Sequence, residues 1–79
     1  MPQSVRWLPE AWMQLVALPE TLHKEGLSAA AMLMVNPHPD DAEPDAEIPD
    51  TFVLRRGMVR IFYRVVGTDV DVAGIWPNS

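Results

Sequence analysis

Arg60 and Arg64 lie four residues apart in a segment of alternating polarity, with Phe62 between them. Because successive side chains of a β-strand point to opposite faces, all three project from one face of a strand. Guanidinium groups neutralise phosphates and an aromatic ring stacks on an unpaired base, so this spacing suits single-stranded RNA. Metal-free RNA cleavage also needs a positive group near the scissile phosphate. We therefore take Arg60 and Arg64 as candidate catalytic residues and Phe62 as a candidate RNA-binding residue.

Two further arginines, Arg55 and Arg56, precede the glycine of a predicted hairpin turn and extend this patch as target-binding candidates. We call Arg55, Arg56, Arg60 and Arg64 the arginine cluster; no acidic residue interrupts it between Phe52 and Val66. The alternative interpretation is structural: the arginines solvate an exposed sheet face and Phe62 covers a helix edge. The sequence pattern leaves both interpretations open.

An acidic, proline-rich segment, residues 37–50, precedes the basic strands, and we call it the acidic loop. It contains four prolines, six acidic residues and no Lys or Arg. It has no apolar periodicity and is predicted to be a mobile loop. His38 beside Asp40 and Asp41 offers metal-ligand chemistry, but the spacing fits no metal-loop template, so neither a metal nor a cofactor is expected. Either the loop folds over the arginine cluster and screens it, or it only keeps the protein soluble.

The chain has 79 residues, no cysteine and a formal net charge of −5. This length predicts a single domain, residues 1–79, with a thin core and no disulfide to reinforce it. The negative total argues against a general nucleic-acid binder, yet outside the acidic loop there are five acids and six bases. No apolar run reaches the roughly 18 residues of a membrane span, and the N-terminus lacks an apolar signal-peptide core. We expect a cytoplasmic protein with no membrane partner.

Two periodicities divide the chain into a helical half and a strand half. After a short candidate strand at Ser4–Leu8, apolar residues at helical spacing predict one helix from Pro9 and another from Pro19, which ends at Asn36. From Thr51 the period changes to two and predicts a hairpin and a second tight turn. The predicted fold class is α+β: a short N-terminal strand, an αα-hairpin and a three-stranded antiparallel meander.

The same alternation assigns strand faces. On the long strand, the apolar face comprises Val59, Ile61, Tyr63 and Val65, so Tyr63 is predicted to be a core residue rather than an acid or base. On the last strand, alternation places Val70, Val72 and Gly74 on one face and Asp71 and Ala73 on the other.

The predicted helices carry more apolar side chains than they can bury against a small sheet. Trp12, Met13, Val16 and Met32 are the candidates for partner binding, since exposed apolar and Met-rich surfaces often mark interfaces. A partner chain or a homodimer would account for them.

Four local motifs occur along the chain: Leu8–Ala11 (LPEA), Ala17–Pro19 (ALP), Asn36–Pro39 (NPHP) and Phe52–Val65 (FVLRRGMVRIFYRV). In this order and spacing they resemble the RelE/ParE superfamily of bacterial type II toxins. The resemblance covers most of the chain and implies a β-α-α-β-β-β fold.

The resemblance also implies a toxin that is neutralised by a cognate antitoxin. In the RelE-like branch, Arg60 and Arg64 hold mRNA phosphate on the ribosome, with Arg55 and Arg56 assisting, in a metal-independent endoribonuclease. In the ParE-like branch, the same scaffold binds DNA gyrase and performs no chemistry.

The sequence departs from the family pattern at three places. Val53 replaces a common arginine, Gly74 stands where a basic residue is frequent, and nothing matches the VGHRxxxY tail that serves RNA cleavage in the RelE branch. The expectation is thus a shortened member in which non-nuclease action is favoured. A non-toxic protein-interaction module with the same fold is the alternative.

Overall fold

A computed structural model describes residues 4–77 as a five-stranded sheet with two helices against one face. The sheet order is β1-β5-β4-β3-β2; β1 runs parallel to β5, and the other neighbouring strands are antiparallel. The predicted α+β class is confirmed, with β1 as a parallel edge. The elements are β1 (Ser4–Trp7), α1 (Pro9–Ala17), α2 (Glu20–Val35), β2 (Glu43–Pro44), β3 (Phe52–Arg56), β4 (Val59–Val66) and β5 (Asp69–Pro77).

Proline sets the limits of α1. Pro9 occupies the first turn of the helix, where its missing N–H costs nothing, and Glu10 lies at the positive end of the helix dipole. Leu18 and Pro19 are both extended and separate the two helices. The N–H of Leu8 donates to Val72 O at 3.0 Å, so β1 passes into α1 while still bonded to β5.

The second helix packs on the sheet through small residues. Gly26, Ala29, Ala30 and Leu33 are its buried positions. A Cβ at Gly26 would lie 2.5 Å from Ile75 Cδ1 and 3.1 Å from Leu15 Cδ1, so a larger residue forces these side chains to move. At Gly26, α2 therefore lies close to both α1 and β5.

Gly26→Val should destabilise the fold by about 1–3 kcal/mol, because the added carbons overpack a filled site. Ser28→Val is the matched control, since Ser28 is exposed on the same helix. Urea denaturation followed by circular dichroism measures both. Equal midpoints for the two variants would contradict this packing.

Tyr63 lies in the core, as alternation predicted. Its ring is fully buried and lies 5.8 Å, centroid to centroid, from the ring of Phe52, and its hydroxyl donates to Pro37 O at 3.0 Å. This bond ties the end of the helical half to the centre of the sheet. Burial, with a smaller contribution from the negative charge of Asp41, raises the pKa of Tyr63 to about 12.

The raised pKa of Tyr63 predicts a loss of stability in strong alkali. Unfolded tyrosine loses its proton near pH 10, whereas folded Tyr63 keeps it to about pH 12. The free energy of unfolding should therefore fall as pH rises through this window, and Tyr63→Phe should remove that component.

Tyr63 is the chain's one tyrosine, so its ionisation can be followed directly by absorbance near 295 nm. A folded-state midpoint near pH 10, or the same pH dependence in Tyr63→Phe, would contradict the buried phenol.

A β-bulge changes the faces of β5 from those that simple alternation predicted. The pairing shifts register between Phe62 and Tyr63, so that Phe62 faces Gly74 while Tyr63 faces Val72. Ala73 is the extra residue, and beyond it the alternation is reversed. Ile75 consequently joins the core, and the prediction that Gly74 shares a face with Val70 and Val72 is wrong.

The acidic loop contains structure that its composition did not reveal. Glu43 and Pro44 form β2 by pairing with Val53 and Phe52. Asp45 then closes a turn: its Oδ2 accepts from the N–H of Glu47 at 3.2 Å and of Ile48 at 2.7 Å, and its own N–H donates to Thr51 O at 2.7 Å. A two-residue strand and an aspartate turn have no periodicity, which is why the sequence predicted an irregular loop.

Candidate functional site

The face of the sheet opposite the helices, which we call the open face, is arranged in three cross-strand rows. The side chains on it alternate with the buried ones that contact α1 and α2. The first row is Arg55–Arg60–Trp76, the second Val53–Phe62–Gly74, and the third Arg64–Asp71–Arg6.

Arg60, Phe62 and Arg64 share the open face, as their spacing predicted. The Arg60 guanidinium lies 5.9 Å from the Phe62 ring centroid, a cation–π distance. Its Nε is buried and has no hydrogen-bond partner within residues 4–77. Arg64 is exposed. The strand thus presents two guanidiniums with an aromatic ring between them.

The arginine cluster divides between the two faces of the sheet. Arg55 and Arg56 lie within β3, and the hairpin turn falls one step later, at Gly57 and Met58. Arg55 is directly opposite Arg60 on the open face, whereas Arg56 is opposite the buried Val59 and is on the helix side. Sequence reasoning placed both arginines at the turn and so did not separate them.

The acidic loop pairs with Arg55 and Arg56. Glu43 Oε2 lies 3.2 Å from Arg55 Nη1, and Asp41 contacts Arg56 through both carboxylate oxygens, at 2.6 and 3.3 Å. Two arginines directly opposite each other repel, and Glu43 offsets the repulsion between Arg55 and Arg60. Within residues 4–77 neither Arg60 nor Arg64 has a carboxylate within 4.0 Å.

An ion pair between Arg6 and Asp71 links β1 to β5 on the open face. Arg6 donates from Nε at 2.8 Å and from Nη2 at 3.1 Å to the two carboxylate oxygens. The hydrogen bond to Asp71 and its charge raise the pKa of Arg6 above its already high ordinary value. Asp71 also stands opposite Arg64 in the sheet, but its oxygens are engaged by Arg6. The sequence did not predict this pair, because no local pattern indicates that β1 pairs in parallel with β5.

A cavity of about 360 Å³ opens between the sheet, α1 and the acidic loop. It is lined by Phe62, Arg64 and Trp76 from the sheet, Glu10 and Gln14 from α1, and Ile48 from the loop. Gln14 reaches it around the edge of β5, where its Oε1 accepts from the Ile75 N–H at 2.9 Å. Sequence reasoning assigned no role to Glu10, Gln14 or Trp76. The i, i+4 spacing of Glu10 and Gln14, which places both side chains on one side of a helix, is the sequence feature that could have indicated that they lie together.

The four predicted partner-binding residues are all exposed and lie on two different helices. Trp12, Met13 and Val16 lie on the outer side of α1, with exposures of 49, 69 and 53%. Met32 lies on the flank of α2 that faces Arg56 and the acidic loop. The apolar surplus that the sequence predicted is therefore present, in two places.

Within residues 4–77, no three His, Cys, Asp or Glu side chains are grouped as metal ligands. His38 instead sets its ring edge-on to Phe52, with centroids 5.8 Å apart. In the same part of the chain, no helix has the length and apolarity to cross a membrane.

The structure is similar along almost its entire length to known toxin–antitoxin proteins. It matches a chain of the RelBE2 toxin–antitoxin complex from Mycobacterium tuberculosis with a TM-score of 0.86 and 27% identity, covering 98% of this chain and 99% of that one. The chain belongs to the RelE/ParE superfamily.

Two other solved RelE/ParE structures share the fold. The free Escherichia coli RelE toxin, as an R81A/R83A mutant, matches with a TM-score of 0.79 at 17% identity, over 98% of this chain and 84% of that one. A chain of the Pseudomonas aeruginosa chromosomal ParDE system matches with a TM-score of 0.78 at 19% identity, over 98% of this chain and 97% of that one. No protein-family model and no curated protein matches the sequence. The similarity to these solved structures confirms the resemblance to the RelE/ParE superfamily that the local motifs indicated.

The pairing of Glu43 with Arg55 predicts that Glu43→Gln will expose a cation on the open face. Affinity for a fluorescently labelled oligouridylate should rise about two- to fivefold, the range expected for one surface ion pair. The affinity should also fall more steeply with salt.

Glu47→Gln is the matched control for this measurement. It removes the same charge from the same loop, where no arginine lies within 4.0 Å in residues 4–77. Equal effects of the two changes would show that total charge, and not the Glu43–Arg55 contact, controls anion binding.

Proposed function

We propose that this protein is the toxin of a type II toxin–antitoxin system and that its open face is the acting surface. The whole-length similarity to a RelBE2 complex chain, at a TM-score of 0.86, is the observation that carries the proposal. Similarity to a ParDE chain is consistent with the same general role.

Arg60 and Arg64 are the residues that we assign to the toxic action. They share one face with Phe62 and keep their charges free of the chain's own carboxylates within residues 4–77. In an mRNA-cleaving toxin, both guanidiniums neutralise phosphate, and Arg60 also stabilises the charge that develops on the scissile group. In a gyrase-binding toxin, the same residues contact the protein target. Arg55 joins them once Glu43 is displaced, whereas Arg56 lies on the other side of the sheet.

The cognate antitoxin is the partner that we propose for the exposed apolar residues of the helices. Trp12, Met13 and Val16 present a contiguous side of α1, and Met32 offers a second contact near Arg56. A homodimer through α1 is the alternative occupant, and sedimentation of the isolated chain distinguishes the two.

A non-toxic interaction module with this fold is the second candidate. It is favoured by the pairing of Arg55 and Arg56 with Glu43 and Asp41, which leaves two arginines of the cluster for external contacts. Growth of cells that produce the isolated chain separates this candidate from a toxin.

Induced expression of the chain alone should arrest growth of a bacterial culture. The Arg60→Ala/Arg64→Ala variant should restore growth at equal folded expression, because it removes the free charges of the open face. Primer extension on cellular mRNA and a DNA supercoiling assay then separate the ribosomal target from gyrase.

Lys24→Ala is the control, since Lys24 is an exposed cation of α2 that pairs with Glu20 away from the open face. It should arrest growth as the parent does. Normal growth with the folded parent would overturn the toxin assignment. Arrest by the double variant would overturn the role given to Arg60 and Arg64.

A further inference from the structure

The second half of α2 is apolar on every side, although the sheet covers only one side of it. Leu27–Val35 contains no charged residue and a single polar one, Ser28. Its inner positions are buried against the sheet, whereas Met32 is 46% and Val35 87% exposed. A helix that is hydrophobic all round is normally buried on all sides. The outer side of this half of α2 is therefore a surface that residues 4–77 leave uncovered.

A groove runs along one flank of this surface. Ser28, Met32 and Val35 are at positions i, i+4 and i+7 and so lie on one flank of the helix. A cavity of about 470 Å³ lies beside Met32 and Val35, and a smaller one of about 100 Å³ lies beside Ser28 and Met32. Met32 and Arg56 line both cavities, so the two adjoin. We call the two cavities together the α2 groove.

The charged residues that border the α2 groove are mostly acidic. They are Arg56 and three carboxylates, Glu25, Asp40 and Asp41, which gives one positive charge against three negative ones, a net of −2. Asp41 accepts two hydrogen bonds from Arg56, so these two charges offset each other. Glu25 accepts from the Met58 N–H at 3.2 Å, a neutral donor. Asp40 has no ion-pair partner within residues 4–77.

Apolar side chains beside unpaired carboxylates are complementary to a helix that carries both apolar and basic residues. Lys and Arg lay their methylene groups along an apolar surface and keep the charged group at its edge. Apolar side chains on neighbouring turns of such a helix can fill a groove of this kind. The charge of the α2 groove thus selects a basic occupant over an acidic one.

The chain itself offers no segment of this chemistry. α1 contains no Lys or Arg, and the single lysine of α2, Lys24, pairs with Glu20. The five arginines all lie on strands. Residues 1–3 and 78–79 contain no Lys or Arg. A second copy of the chain is therefore a poor match in charge, and a different, basic partner is indicated.

We propose that the α2 groove binds a basic amphipathic helix of a partner protein. Apolar side chains of that helix contact Met32 and Val35, and a Lys or Arg pairs with Asp40. The inference rests on the proposed antitoxin contact at Met32 for the identity of the partner. It adds the place at which the partner docks and the charge of the segment that docks there.

Methionine-methyl NMR with a synthetic peptide tests the groove. The probe is a peptide about four helical turns long, with leucine on one side and lysine on the other. At saturation it should shift the methyl resonance of Met32 and leave those of Met13 and Met58 unchanged, since these two are exposed elsewhere on the chain.

Two control peptides separate the apolar contact from the charge. A peptide with the same leucines and lysines in scrambled order has no apolar side, and a leucine–glutamate peptide meets carboxylates with like charge. Each should bind about tenfold more weakly than the leucine–lysine peptide.

Four variants locate the contact. Met32→Asp should weaken binding of the leucine–lysine peptide about tenfold, because it places a charge against the peptide's apolar side. Met13→Asp, the matched control on α1, should not change the affinity. Asp40→Asn should weaken binding about two- to fivefold, the range of one surface ion pair. Glu47→Gln removes the same charge from the same loop outside the groove and should have no such effect. Circular dichroism confirms that each variant is folded.

Equal effects of the two methionine variants, or a methyl shift confined to Met13, would overturn the inference. Equal binding of the lysine and glutamate peptides would do the same. Self-association of the chain in sedimentation that Met32→Asp abolishes would show that a second copy occupies the groove instead. Growth arrest by the isolated chain without peptide binding would overturn the groove and leave the toxin assignment standing. Peptide binding in the groove without growth arrest would do the reverse.

Discussion

Close packing of α2 on the sheet is the constraint on which the remaining geometry depends. At Gly26 the backbone of α2 lies directly against Leu15 and Ile75. The buried Ala29 and Ala30 of the same helix cover one face of the sheet. Two short helices cover only that face, so the alternate positions of β4 are forced outward. The placement of Arg60, Phe62 and Arg64 on the open face is therefore a consequence of where the apolar core must lie.

The bulge at Ala73 determines the shape of this face. Without it, Gly74 would face the helices and Ile75 would face solvent, which would cost the core a large apolar side chain. With it, Ile75 fills the core while Gly74 is opposite Phe62. One inserted residue thus places Ile75 in the core and Gly74 on the open face, in the lining of the cavity.

Local patterns in the sequence predict much of the fold and part of the site. Proline positions delimit both helices, and the period of two correctly separates Tyr63 from its neighbours Phe62 and Arg64. The Arg6–Asp71 contact between β1 and β5 joins residues 65 positions apart, and the Gln14–Ile75 hydrogen bond joins residues 61 positions apart. No local pattern encodes either contact. The side of the sheet on which Arg56 lies also depends on the β3–β4 register, which a one-residue change in the turn reverses.

The two ion pairs between the acidic loop and the arginine cluster differ in strength and in the side of the sheet on which they lie. Glu43 holds Arg55 through a single exposed contact, and such pairs contribute at most about 1 kcal/mol. The Asp41 carboxylate accepts two hydrogen bonds from Arg56 on the helix side of the sheet. This contact attaches the acidic loop to β3 and does not cover the open face. Loss of the Glu43–Arg55 contact would therefore leave the loop attached at Arg56. The acidic loop thus neutralises Arg55 by a contact that costs little to break and Arg56 by one that also holds the loop in place.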